Sequence, residues 1–293
     1  MDAQGPLFGA PAQRAQTHGR RAGTRLALRA AIVLGLAALA APALAAPADQ
    51  ATGGAPCAPF DHEHAAWEAT LARYVRDGVV DYSGLKHSGT AALDGYLRSL
   101  ESVCRDQYVA WTREQQLAFF INAYNAYTIK LILEHYPVKS IRSIGFLPGS
   151  AFRDELAPLR WLRGKALSLN DIENDILRKD FHEPRIHFAI VCASQSCPEL
   201  KSEAYRATTL DSQLTDAARR FLADRGKNQF DPASRTLRLS SIFKWFREDF
   251  ERTSRTLPAF VARYAEPATA TALSSGDAVR IEFLDYDWSL NGS

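Results

Sequence analysis

The stretch from Thr112 to His135 limits what this chain can fold into more than any other. Apolar residues at Leu117, Phe120, Ile121, Tyr124, Ile129 and Leu133 nearly encircle a helix axis instead of forming one stripe. A helix that is apolar on every side is buried. Thr112 with Gln115 three residues on has capping-box spacing, and Pro137 ends the helix near His135-Tyr136. An interior helix of this length needs other elements packed around it. Helical spacing recurs at Phe60–Arg76, Ala91–Leu100 and Leu210–Leu222, and Asn170 with Glu173 marks the start of a further helix. Short extended pieces fall at Val79–Tyr82, Lys165–Leu169, Ile186–Val191, Thr236–Leu239 and Val279–Leu284, while Ser140–Ser150 and Pro267–Gly276 read as loops. The expected class is α+β, with helices packed on a small mixed or antiparallel sheet.

The first 45 residues read differently. A basic arm with Arg14, Arg20, Arg21, Arg25 and Arg29 precedes an apolar run, Ala30–Ala41, and the small-x-small site Ala43-Leu44-Ala45. That is the pattern of a secretory signal peptide, and the run is too short to span a membrane. The sequence therefore predicts an exported protein, periplasmic or secreted, with no membrane span after cleavage. Ala, Pro and Gly make 46–59 a flexible linker, and 60–293 reads as one domain. The leader holds five of the 35 Lys and Arg and one of the 33 Asp and Glu, so its removal turns the formal net charge from +2 to −2. Nothing in that balance favours nucleic acid as a partner. Cys57, Cys104, Cys192 and Cys197 all follow the cleavage site, so disulfides are an open alternative for each.

Chemistry concentrates in Arg185–Leu200, RIHFAIVCASQSCPEL. It reads as a strand, Ile186 to Val191, running into a small-residue loop and then a helix start with Ser196 and Glu199 at capping-box spacing. Free amides at such a start favour negative charge and would lower a thiol pKa or hold an oxyanion. Cys192 is then a candidate nucleophile, and His187 the nearest base. Alternation along a strand sets these two on opposite faces, so they meet only if the strand bends or ends before Cys192. Otherwise His62, His64, His87, His135 or His182 must serve. Two structural roles compete: a local disulfide between Cys192 and Cys197, and zinc held by His182, His187, Cys192 and Cys197, whose spacing matches no common finger. Asn122 and Asn125 share one side of the interior helix and need partners there, most simply loop backbone. At the end of the chain, Tyr286, Trp288 and Leu290 alternate with Asp285, Asp287 and Ser289, as in an arm packed on the body.

The runs Leu117–Ala126 (LAFFINAYNA), Gly164–Arg178 (GKALSLNDIENDILR), Ile186–Pro198 and Tyr286–Asn291 (YDWSLN) are similar to the motifs of the domain of unknown function 547. The chain resembles that family's exported bacterial branch. The resemblance implies that Cys192 is the steadier of the two cysteines, since other branches carry Ser at the position of Cys197. It also marks Asn174 as a departure, because the family often has His there. An interior helix, a histidine strand and a cysteine loop are reminiscent of papain-like and transglutaminase-like folds. The resulting expectation is a cysteine hydrolase or acyltransferase site: Cys192 as nucleophile, His187 as base and Glu173 as orienting group. Asn122, Asn125, Ser194, Ser196 and Cys197 would shape the pocket and its anion site. The substrate would be a peptide or another small acyl compound of the envelope, with no cofactor and no metal. The rival is a non-enzymatic envelope module with structural cysteines.

Overall fold

A computed structural model describes residues 57–147 and 149–293; the expected signal peptide and the linker up to residue 56 lie outside the described residues. Five helices come first: α1 (Ala65–Tyr74), α2 (Tyr82–Ser88), α3 (Thr90–Glu101), α4 (Arg105–Ala110) and α5 (Arg113–His135). Between α1 and α2, β1 (Val75–Arg76) and β2 (Val79–Val80) pair antiparallel across Asp77-Gly78. Both turn residues have positive φ, 49° and 76°, as a two-residue hairpin of this hand requires. Cys57 pairs with Cys104, their Cα atoms 6.2 Å apart, which ties the segment before α1 to the start of α4.

Helix α5 is the buried axis that its composition predicts. The Thr112 hydroxyl accepts from Gln115 N at 3.2 Å, and the Gln115 side chain accepts from Thr112 N at 2.9 Å, so both halves of the capping box form. From Leu117 to Leu133 every side of the helix is covered except at Lys130. Next come α6 (Arg160–Arg163) and an 11-residue helix of π type, Asp171–Phe181. Its start is fixed by Ser168 and Asp171, each side chain bonding the other's backbone N–H, and not by Asn170 with Glu173. Helix α7 (Leu210–Ala223) precedes β3 (Gln229–Asp231) and β4 (Thr236–Ser240), an antiparallel pair. Helices α8 (Ser241–Trp245), α9 (Arg247–Ser254), α10 (Leu257–Ala262) and α11 (Pro267–Leu273) then cross over to β5 (Arg280–Leu284), which lies parallel to β4. A parallel neighbour demands such a crossover. The expected α+β class, with helices around a small mixed sheet, is what forms.

Several expected elements take another form. Ile186–Val191 is not a strand: Pro184–Phe188 is a 3-10 helix, with Pro184 at its first position and the Glu183 side chain accepting from Arg185 N at 3.0 Å. The extended residues after it have no sheet neighbour, because the Asn125 amide stands in for one. Its Nδ2 donates to Ala189 O at 2.9 Å and its Oδ1 accepts from Val191 N at 2.9 Å. Asn122 clamps Tyr205 in the same way, at 2.7 and 3.0 Å. Lys165–Leu169 contributes a single bridge, Leu167 to Ala157. No helix starts at Ser196, and the expected loop at Pro267 is α11, led by its proline.

The apolar interior forms two clusters. One gathers α1–α5, the π-type helix and residues 189–205 around Trp67, Phe119 and Tyr124. The other gathers Phe188 of the 3-10 helix with Phe221, Phe243, Phe250 and Phe260 from α7, α8, α9 and α10. The closing arm behaves as its alternation predicts. Its backbone bonds the cysteine loop through Gln195 N to Ser289 O (2.8 Å), Ser196 N to Asp287 O (3.2 Å) and Asn291 N to Ala193 O (3.1 Å). Asp287 accepts from Ser289 N at 2.8 Å and from its hydroxyl at 2.6 Å.

Candidate functional site

Where the two clusters meet, a small cleft of about 40 Å³ is lined by Tyr124, Glu173, His187, Ile190, Cys192, Cys197, Trp245, Phe246, Tyr286 and Trp288. The expected nucleophile, base and carboxylate thus share one cavity, although they come from two separate stretches of chain. His187 and Cys192 reach the same space because the segment turns as a 3-10 helix before Ala189, which removes the opposition that a strand would impose.

The cleft has an electrostatic hub at Asp249 on α9. Its Oδ2 accepts from His187 Nε2 at 2.8 Å and from Arg178 Nε at 2.6 Å, and Oδ1 accepts from Arg178 Nη2 at 3.3 Å. Hydrogen bonds from His187 and Arg178 outweigh the cost of burial and hold the Asp249 carboxyl well below the usual carboxylate range. Burial lowers the His187 pKa, so the imidazole is neutral at pH 7. An ionised carboxylate can only accept, so Nε2 carries the proton and Nδ1 is the basic nitrogen. Nδ1 has no hydrogen-bond partner among the described residues, and the ring forms part of the cleft wall. The ring lies flat on Phe246, with centroids 4.0 Å apart, and the Arg178 guanidinium stands 4.9 Å from that same phenyl ring. Asn174 accepts from Arg178 Nη1 at 2.6 Å and so steadies the arginine that steadies Asp249.

Glu173 has a different place from the one expected. It is buried, its Oε2 accepts from Tyr124 OH at 3.2 Å, and it neither caps its helix nor touches His187. Asp249 is the group that orients the imidazole. Burial pushes the Glu173 carboxyl up to about 7, against the opposing charge of Arg178. The folded chain therefore keeps a proton there that the unfolded chain has lost, between pH 4.5 and about 7. Stability falls as pH rises through that window, by about 3 kcal/mol in total. Glu173→Gln removes this penalty, so its gain in melting temperature over the parent is expected to be larger at pH 8 than at pH 5. Equal gains at both pH values would contradict a buried, proton-retaining carboxyl.

The remaining site expectations divide. Cys192 and Cys197 are joined as a disulfide, with Cα atoms 6.3 Å apart; Cys192 is half-buried and Cys197 is 4% exposed. Ser194 is buried and lies 3.1 Å from Cys192 Sγ, within the site. The Ser196 hydroxyl accepts from Asp287 N at 2.9 Å. The amides of Ser196 and Cys197 already donate to the carbonyls of Asp287 and Ser194, so the expected anion cradle is occupied by the chain itself. Asn122 and Asn125 serve loop backbone and do not line the cleft. Nor does any other described histidine: His62 packs on Trp111, His64 on Tyr96, His87 is exposed, His135 bonds Leu131 O, and His182 meets Arg252. With His182 turned to Arg252, the four-residue zinc set is not assembled.

Sequence reading missed Asp249, Tyr286 and the aromatic wall. Asp249 looks like part of a charged surface face beside Arg247 and Glu248. Yet it stands three residues after Phe246 and one before Phe250, on the side of α9 that turns inward.

Residues 108–222 match the family described as Protein of unknown function, DUF547. The matched stretch includes α5, Glu173, His187, Cys192 and Cys197, and ends before Asp249 and Tyr286. No curated protein and no solved structure matches the chain.

Proposed function

We propose that the cleft is a cysteine-dependent acyl-transfer site, hydrolytic when water is the acceptor, in a protein exported to the envelope. The single observation that carries this is the Asp249–His187 pair: a neutral imidazole, oriented by a carboxylate, in the wall of the cavity that holds Cys192. The thiol acts once a thiol reductant has opened its bond to Cys197. His187 Nδ1 takes the Cys192 proton, and the thiolate attacks the acyl carbon as the leaving group departs with that proton. Water then returns the acyl group as acid and restores the thiol. Trp245, Phe246 and Trp288 favour a substrate with an apolar or aromatic acyl portion. Export is supported by the basic arm, the apolar run and the small-residue site of the leader, and the Cys57–Cys104 pair fits an oxidising compartment.

The test uses the mature protein, reduced under native conditions and exposed to a panel of activated aryl and alkyl esters. The expected result is an acyl adduct located on Cys192 by mass spectrometry, absent in Cys192→Ser and formed on the order of 10²–10⁴ times more slowly in His187→Gln. A reduced, folded protein that takes up no acyl group at Cys192 sinks the proposal and leaves the non-enzymatic binding module.

A further inference from the structure

The two sulfurs of the cleft are not equivalent. Cys192 Sγ is the accessible one, at the cavity wall, with Ser194 Oγ at 3.1 Å and Tyr286 OH at 3.3 Å. Cys197 is buried; its Sγ accepts from Cys192 N–H at 2.9 Å and shares the Tyr286 hydroxyl, 3.3 Å from each sulfur, with Cys192. The backbone N–H aimed at Cys197 Sγ has no counterpart at Cys192, and it stabilises Cys197 as a thiolate. A better-stabilised leaving thiolate departs faster. The closing arm supplies Tyr286, whose ring is pressed between Trp245 and Trp288, with centroids 4.8 and 4.6 Å away. The hydroxyl is therefore held in place before any reaction begins.

We infer that Cys192–Cys197 is a redox couple that exchanges with substrate thiols and disulfides, Cys192 forming the mixed disulfide and Cys197 leaving as the stabilised thiolate. An incoming thiolate attacks Cys192 Sγ. The new S–S bond forms there as the bond to Cys197 breaks, and the electron pair stays on Cys197. A second substrate thiol then attacks the substrate sulfur of the mixed disulfide and releases Cys192. Two substrate thiols lose two protons and two electrons in all, and the couple gains both. Glu173, in the same wall, keeps its proton near neutral pH and is suited to pass one to the cleft. This activity needs neither His187 nor the acyl chemistry.

Glutathione is the probe. Folded mature protein is mixed with reduced glutathione, quenched with acid, and its cysteine peptides are weighed over time. The expected result is a glutathione adduct on Cys192, followed by the free dithiol, with the melting transition of the fold retained. Tyr286→Phe keeps the ring and removes the donor, and is expected to slow opening about tenfold, the worth of one hydrogen bond to a charged sulfur. In Cys197→Ser the adduct on Cys192 is expected to form from oxidised glutathione and to persist. A bond that opens only after denaturation, an adduct that appears on Cys197 instead, or Tyr286→Phe opening at the parental rate would each overturn the inference. None of these outcomes bears on acyl transfer, which is read on protein already reduced.

Discussion

Asp249→Asn is expected to stop acyl transfer at the cleft, by on the order of 10³–10⁴-fold, and to lower stability by about 3 kcal/mol. Both effects come from one oxygen. Ionised Asp249 accepts from His187 Nε2, which leaves Nδ1 free to take a proton. An asparagine amide turned toward the ring donates instead, moves the imidazole proton to Nδ1, and removes the base. The stability loss arises because Arg178 and Asp249 are matched away from bulk water, with side chains 24% and 8% exposed. Neutralising the carboxylate leaves the guanidinium unpaired. The pH dependence has a definite sign. Folding holds the Asp249 carboxyl below its ordinary value of 3.8, so its contribution is complete above pH 3.8 and is lost as pH falls toward the folded value. Asp249→Asn is therefore expected to show a smaller acid-induced loss than the parent below pH 4. Urea titrations of both proteins across that range, with ester turnover at pH 7, check the two effects separately. A variant that keeps its turnover would remove Asp249 from the site.

The second large effect concerns Cys57 and Cys104, which stand 47 positions apart and fasten the first described residues to the start of α4. By chain-entropy arithmetic, closing a loop of that length contributes about 4 kcal/mol, against about 2 kcal/mol for the short Cys192–Cys197 loop. Cys57→Ser with Cys104→Ser should thus shift the denaturant midpoint about twice as far as Cys192→Ser with Cys197→Ser, each measured on air-oxidised protein. A smaller shift for the long loop would mean that the unfolded chain keeps the two ends close without the bond.

Local chemistry carried much of this architecture into the sequence. The capping box at Thr112, the stop at Pro137, the amphipathic face of α7 and the alternation of the closing arm all appear where the residues direct them. The central stretch was harder to read, for a reason particular to this fold. Alternating apolar residues there satisfy their backbone through Asn125, a side chain 64 and 66 positions away, and the turn set by Pro184 outweighs the alternation. The membership of the site was partly legible, since Glu173, His187 and Cys192 do converge. Their connections were not. The partner of His187 lies 62 positions downstream in a segment whose charges look like those of any exposed helix. Nor does periodicity show that Tyr286 would reach both sulfurs from the far end of the chain.

The two apolar clusters have a consequence for motion. Each has its own aromatic centre, and they join along a seam that contains the cleft. Such a seam yields before either body does, because parting it exposes less apolar surface than unpacking a centre. Parting it would widen the gap between Ile190 and Trp245, both in the cleft wall. The cavity's width is thus set by how two finished halves rest on one another, and amide protons along the seam should exchange sooner than those of α5.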